Sequence, residues 1–270
     1  MAAADYDSAL FLDNDLTYID QLKRCPKITT IHVGGIQGQP PEVDIVDGPE
    51  YEEFRAGLSD AGRVAMKAFC RNFNNRDLYD VSSGIKEEHM EQAFEWINAE
   101  WTKSDGKKAI LIDFDRTLTV IEGFSADDYP NTLTFKERFP HPGLTAEGYM
   151  NYLVGGNKRL HLVQAFFDIL YTQYIDIFIL TNNQACVFSP VYFNDLVSVL
   201  TDGRPVNYIC GLRFGGNKYD AVINTPGFAS VCAAQGGRRR NKRKTHRQKQ
   251  KQKQKKTRLL SNRRKTKRRS

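Results

Sequence analysis

No run in these 270 residues approaches the ~20 consecutive apolar side chains that a membrane-crossing helix needs, so no such helix is expected. The opening residues, MAAADYDSAL, lack the basic and apolar regions of a secretory leader. Cysteine is scarce: Cys25, Cys70, Cys186, Cys210 and Cys232 form no Cys-x-x-Cys pair, and their number is odd. No disulfide framework suggests itself, and the expectation is reduced thiols in an intracellular setting, cytoplasmic or nuclear. His32, His89, His141 and His161 stand singly, with no His-x-x-x-His pair and no Cys/His cluster, which argues against a zinc site. The most informative absence is acid: residues 238–270 contain no Asp or Glu at all.

That segment holds 19 of the 39 Lys and Arg residues. The first 237 residues therefore keep 20 basic against 32 acidic side chains, a net charge of −12 that the overall +7 conceals. An acidic body and a basic tail need separate explanations. After Gly236-Gly237 the apolar content falls away and the chain becomes low in complexity, with KQKQKQKK at 249–256. Such a stretch cannot bury enough apolar surface to offset its ordering entropy, so disorder is expected there. Its cations interleave with Gln, Asn and Ser rather than aromatics, which suits nonspecific contact with a nucleic-acid backbone and not base stacking. A nuclear-import signal and a solvated tail folded back on the acidic body are the other readings.

Within the body, short apolar runs alternate with helical patterns. Strands are expected at Ala9–Leu12, Ile28–Val33, Ala109–Ile112, Ile175–Leu180 and Val206–Cys210, each continuously apolar as in a parallel sheet covered on both faces. Helices are expected at 51–73, Lys86–Trp101, Thr145–Leu153, Lys158–Tyr171 and Pro190–Leu200, the last with Ser189 as its cap. Residues 34–49, rich in Gly and Pro, read as a loop or linker. The pattern is that of an α/β fold, a Rossmann-like parallel sheet covered by helices.

The chemistry sits at strand ends. The strand Ala109–Ile112 delivers Asp113 and Asp115 just past its carboxyl end, where parallel α/β sheets bind ligands. Residues two apart point the same way in extended chain, so both carboxylates can address one site, and hard Mg²⁺ is a natural partner for them. The stretch AILIDFDRTLT resembles the nucleophile motif, D-x-D-x-T, of the haloacid dehalogenase-like phosphatase superfamily. The resemblance implies Asp113 as nucleophile, forming an aspartyl-phosphate, and Asp115 as general acid/base with a raised pKa. Thr117 would shape the turn, and Arg116, at a variable position of the motif, would touch the substrate or pair with an acid. DIFILTNNQ resembles the second motif, implying that Thr181 and the neighbouring Asn182 bind phosphoryl oxygens. GGNKYDAVIN resembles the third, implying Lys218 as the lysine that offsets charge on the nucleophile and phosphoryl group.

The family's fourth motif, another strand ending in acid, should follow Lys218. From Tyr219 to Gly237 the only acid is Asp220. The missing part resembles the N-terminal ALFLDND, a strand ending in Asp13-Asn14 and followed by a helical LTYIDQLKR and the strand KITTIHV. A circularly permuted domain follows: a βαβ piece at 1–33, a linker with helices at 34–107, motifs one to three at 108–237, and the tail at 238–270. Asp13, Asn14 and Asp15 remain alternatives for the metal, Asp13 and Asn14 ahead of Asp15. Two other readings stand beside permutation. One takes Asp13–Thr17 as a second D-x-D-x-T unit; the other takes it as an unrelated acidic turn.

The function implied is a Mg²⁺-dependent phosphatase acting through an aspartyl-phosphate. The insert between Leu118 and Ile175, with Glu122, Phe124 and FPHPG at 139–143, leaves room for a small helical flap at most. An open site of that kind suits a phosphoprotein or a nucleic-acid terminus as substrate. The competing class is a catalytically inactive binding module of the same fold, tethered to nucleic acid by the tail. In composition alone, the tail resembles Lys/Arg-rich ends on proteins of large DNA viruses, which would place the protein in an infected cell or virion.

Overall fold

Five short strands lie side by side in the computed structural model of the protein, which describes residues 5–34, 83–120, 133–139 and 145–233. They are β1 (Ser8–Asp13), β2 (Ile28–His32), β3 (Lys108–Ile112), β4 (Asp176–Thr181) and β5 (Asn207–Cys210). Their order across the sheet is β2-β1-β3-β4-β5, and every neighbouring pair is parallel. All five carboxyl ends therefore emerge along one edge.

The helices are α1 (Leu16–Leu22), α2 (Glu87–Lys103), α3 (Phe135–Arg138), α4 (Ala146–Val154), α5 (Asn157–Thr172), α6 (Gln184–Phe188), α7 (Pro190–Leu200), α8 (Lys218–Ile223) and α9 (Ala229–Cys232). Alternate strand residues point to opposite faces, and the two sets fall into two separate cores. Leu10, Leu12, Ile110, Ile112, Ile177 and Ile179 cluster with residues of α2, α4, α5 and α7. Ala9, Phe11, Ala109, Leu111, Phe178 and Leu180 cluster with residues of α1, α8 and α9. Burial on both faces explains why the strands are apolar at successive positions rather than alternating. The architecture is a Rossmann-like parallel sheet between two helical layers. Among the described residues no helix is long and apolar enough to cross a membrane.

The expected elements appear with small shifts at their ends. Pro190–Leu200 has the expected bounds, while the fourth strand runs one residue later than expected, so that it includes Thr181. The helix expected at 51–73 and nearly all of the loop at 34–49 lie outside the described residues, as does the tail. Ser189 does not cap α7 with its side chain; its Oγ accepts a 2.6 Å hydrogen bond from Arg138 Nη2 instead. Most of the residues expected in a small flap lie outside the described residues; of the described ones, Phe135, Phe139, Tyr149, Met150 and Leu153 are buried in the core on the α2, α4, α5 and α7 face of the sheet. Glu122 and Phe124 lie outside the described residues.

The expectation of reduced thiols is also corrected. Cys25, at the end of the first helical unit, is disulfide-bonded to Cys232 in α9, and Cys186 in α6 is bonded to Cys210 at the end of β5. Neither pair is recognisable from spacing, since the partners are 207 and 24 residues apart. Cys25–Cys232 ties the chain's first βαβ unit to its last described helix. Cys70 lies outside the described residues.

Just before α2, residues 83–85 brace the loop that follows β3. Gly84 N–H donates to Arg116 O at 2.9 Å, and Ile85 N–H donates to Thr117 O at 2.8 Å. The buried Arg159 of α5 completes the brace, donating to the carbonyls of Ile85, Thr117 and Leu118 at 2.6, 3.1 and 3.1 Å. Gly84 has φ +102, and a Cβ there would stand 2.7 Å from Arg159 Nη2. Gly84→Ala is therefore expected to destabilise the fold by about 1–3 kcal/mol, combining backbone strain with displacement of the guanidinium. Urea denaturation of the variant measures it, and an unchanged midpoint would contradict the brace.

Candidate active site

β1 and β3 are adjacent and in register from Ser8↔Lys108 to Leu12↔Ile112, so their next residues, Asp13 and Asp113, emerge side by side. Asp113 N–H extends the ladder by donating to Leu12 O at 3.0 Å. From the far end of the sequence, α8 brings Lys218 between the two acids. Its Nζ lies 2.7 Å from Asp13 Oδ2 and 2.7 Å from Asp113 Oδ1. All three are removed from solvent, with Asp13, Lys218 and Asp113 only 0%, 1% and 5% exposed. The two look-alike strand ends thus form one cluster rather than two independent units.

Why Lys218 reaches this point is local. Gly215 and Gly216 both take left-handed backbone, at φ +65 and +78, which turns the chain after the short helical turn Gly211–Phe214. Asn217 then caps α8 by accepting from Asp220 N–H, which opens the helix at Lys218.

Two buried carboxylates facing one ammonium leave one negative charge in excess. Burial, followed by the charge of Asp113, pushes the Asp13 carboxyl up to about 7, with Lys218 and the Asp15 backbone N–H pulling the other way. Burial likewise pushes Asp113 up, against Lys218 and the Phe114 backbone N–H. Burial works against the Lys218 ammonium, but the two carboxylates outweigh it and hold its pKa above the ordinary value.

After Asp113 the chain makes a wide helical turn, Phe114–Leu118, closed by Thr119 N–H donating to Phe114 O at 3.0 Å. Inside it Arg116 adopts φ +58, a left-handed backbone, and its N–H donates to Thr119 Oγ1. The turn swings Asp115 toward β4, where Asn183 Nδ2 donates to both of its carboxylate oxygens at 3.1 and 3.0 Å. Asp113 thus faces Asp13 and Lys218, while Asp115 meets Asn183 just past the end of β4. Thr117 is buried and links the turn to β1. It accepts from Asn14 N–H at 3.1 Å, and its hydroxyl donates to Asn14 Oδ1 at 3.3 Å.

β4 ends in Thr181, whose Oγ1 accepts from Asn183 N–H at 2.9 Å. Asn182 Nδ2 donates to Tyr18 Oη at 2.8 Å and to Gly216 O at 3.0 Å. Asp15 caps α1 through Thr17 N–H and is solvent-exposed, while its own N–H donates to Asp13 Oδ1. His32 Nε2 lies 2.9 Å from Asn14 O.

Asp13, Asp113 and Lys218 thus meet directly. Asn14 and Thr117 form a neighbouring pair, and Asp115 is joined through Asn183 to the end of β4. Asn183 and Tyr18 are not singled out by the sequence reading. The tandem Asn182-Asn183 was a signal for the first; nothing local marks the second.

The donors bear on a cation. Among the described residues no group of three or more His, Cys, Asp or Glu side chains gathers at one point. Mg²⁺ is commonly held by one or two carboxylates, water and substrate phosphate, and Asp13 and Asp113 are adjacent carboxylates, each hydrogen-bonded to Lys218. Thiolate- and imidazole-binding metals have no corresponding ligands in this cluster. Compared with known protein families, curated proteins and solved structures, the chain matches none.

Proposed function

We propose that this protein is a Mg²⁺-dependent phosphohydrolase of the haloacid dehalogenase-like type, circularly permuted so that the strand of the fourth motif comes first. The observation that carries the reading is the buried Lys218 held between Asp13 and Asp113, residues 205 and 105 positions away along the chain. Further support comes from the sheet order. It seats β1 directly beside β3 on one flank, with β4 on the other, so that the strand ends assigned to the first, second and fourth motifs are neighbours. Permutation of this sort is physically simple where natural termini lie close together at a surface. In this reading residues 1–33 supply the fourth-motif unit, 34–107 bridge it to the nucleophile strand, and 108–237 carry motifs one to three.

Asp113 attacks phosphorus in line, forming a carboxylate–phosphorus bond as the bond to the leaving oxygen breaks. Asp115 gives its proton to that oxygen and then takes one from the water that hydrolyses the aspartyl-phosphate. Asn183 Nδ2 donates to both Asp115 carboxyl oxygens and so fixes the orientation of that group. Lys218 offsets charge on Asp113 and on the phosphoryl oxygens. Thr181 through its hydroxyl and Asn182 through its backbone N–H bind those oxygens from the β4 side, and Thr117 with Asn14 fixes the turn against β1. Arg116, inside the motif turn, is assigned to contact with the substrate. Mg²⁺, when bound by Asp113 and Asp13 with Asp115 or Asn14, supplies neutralising charge and a hold on the phosphate. The substrate is a phosphate monoester.

Hydrolysis of an aryl phosphate with and without Mg²⁺ tests this reading. Wild-type protein is expected to turn over only with the metal, and the Asp13→Asn, Asn14→Ala double variant is expected to lose that activity. Metal-independent turnover, or full activity in the double variant, would reject the permuted site.

Residues 238–270 extend the proposal to nonspecific nucleic-acid binding. Deleting them is expected to weaken RNA and DNA binding and to flatten its dependence on salt. Unchanged binding and an unchanged salt slope would remove that role.

A further inference from the structure

One side chain touches two of the phosphoryl-binding groups at once. Tyr18 lies on α1, one turn beyond the Asp15 cap, and is half-buried. The face of its ring stands 4.3 Å from Lys218 Nζ, and its hydroxyl accepts the 2.8 Å hydrogen bond from Asn182 Nδ2. Asn182 is otherwise confined on two sides. Gly216 O accepts from the same Nδ2 at 3.0 Å, and Gly211 is so close that a Cβ there would collide with Asn182 Oδ1.

We propose that Tyr18 is a positioning residue, which clasps Lys218 through its ring and the Asn182 side chain through its hydroxyl and so sets the spacing of the Lys218 ammonium and the Asn182 backbone N–H, the two groups that receive a phosphoryl oxygen. The proposal rests on the phosphohydrolase reading above. The two contacts do different work. An aromatic face attracts an ammonium without neutralising it or occupying its hydrogen bonds, so Lys218 stays fully charged toward Asp13, Asp113 and an incoming phosphate. The hydroxyl fixes which way the Asn182 amide faces, because the same nitrogen must satisfy both Tyr18 Oη and Gly216 O. The N-terminal unit thereby contributes an orienting group to the site as well as Asp13. This contribution comes from a helix, whose side chains are held more tightly than those of a loop.

Tyr18→Phe keeps the ring over Lys218 and releases Asn182; Tyr18→Leu releases both. KM and kcat for an aryl phosphate, calorimetric binding of inorganic phosphate with Mg²⁺, and the side-chain ¹⁵N–¹H resonances of Asn182 separate the effects. Tyr18→Phe is expected to raise KM and weaken phosphate binding about 3- to 10-fold with kcat little changed, the loss of one hydrogen bond. Tyr18→Leu is expected to lower kcat as well, by about 10-fold, since Lys218 loses its restraint. The Asn182 resonances should move in both variants.

Wild-type KM, kcat and phosphate affinity in both variants would overturn the clasp, as would equal losses in both that track only a lowered melting temperature. A wild-type protein that neither hydrolyses aryl phosphate nor binds phosphate defeats the phosphohydrolase reading instead. In that event displaced Asn182 resonances in Tyr18→Phe still uphold the contact, and unmoved ones overturn it.

Discussion

Lys218→Met is expected to destabilise this protein by about 3–5 kcal/mol at pH 8, and the loss is expected to shrink steadily as the pH is lowered toward 4. Removing the ammonium leaves Asp13 and Asp113 facing each other with almost no access to water. A buried charge stripped of its partner loses compensation while keeping its desolvation penalty. Protonation is the remaining relief. Asp13 already sits at about 7 with Lys218 in place, well above the usual 3.8, and without the lysine its folded-state value rises further. A carboxyl whose folded pKa exceeds its unfolded value binds more protons folded than unfolded. The stability it contributes is complete below about pH 4 and is lost as the pH rises through the folded value. Urea denaturation of wild type and variant at pH 4.5, 6 and 8 measures the trend. A penalty that is constant with pH, or that grows on acidification, would contradict the arrangement of these three groups.

Asp113→Asn is expected to lower phosphohydrolase turnover by more than ~10³-fold while leaving the melting temperature within about 3 °C of wild type. The two halves of this prediction have different sources. Turnover fails because an amide cannot form the carboxylate–phosphorus bond. The fold survives because Asn is nearly isosteric with Asp and Lys218 keeps Asp13 as a partner at 2.7 Å. Burial of Asp113 is itself costly, as the upward push on its pKa records, so the exchange removes a penalty along with an attraction. Circular dichroism alongside the rate assay distinguishes a lost nucleophile from a lost fold. Turnover in the variant close to that of wild type would remove Asp113 from the nucleophile role.

Much of the site's placement was readable because it depends on local pattern. A continuous apolar run followed by acid announces a buried strand that exposes chemistry at its end. The strand ends Asp13, Asp113 and Thr181 do stand at neighbouring positions along one edge of the sheet. The lysine was readable through the glycine turn before it. Charge segregation between body and tail was likewise visible without any structure.

What could not be read depends on contacts made only after folding. Tyr18 and Asn182 are 164 residues apart, and no propensity links a helix tyrosine to a strand-end asparagine. Asn183 was overshadowed by its neighbours, since its amide finds Asp115 only through the left-handed turn at Arg116. The same limit explains the cysteines, whose pairing is a matter of where α1, α6, α9 and β5 end up rather than of spacing. Ser189 shows a tertiary partner overriding a local one: the chain around it is shaped as expected, but the hydroxyl serves Arg138.

The most direct test of the central claim is to find where phosphorus goes. Turnover of an aryl phosphate with Mg²⁺, quenched in acid and followed by borohydride reduction and peptide mass spectrometry, converts an acyl-phosphorylated aspartate into homoserine. Homoserine at position 113, absent without substrate and absent in Asp113→Asn, is the predicted result. Robust turnover with no modification at Asp113, or with the modification at Asp13 or Asp115, would contradict it.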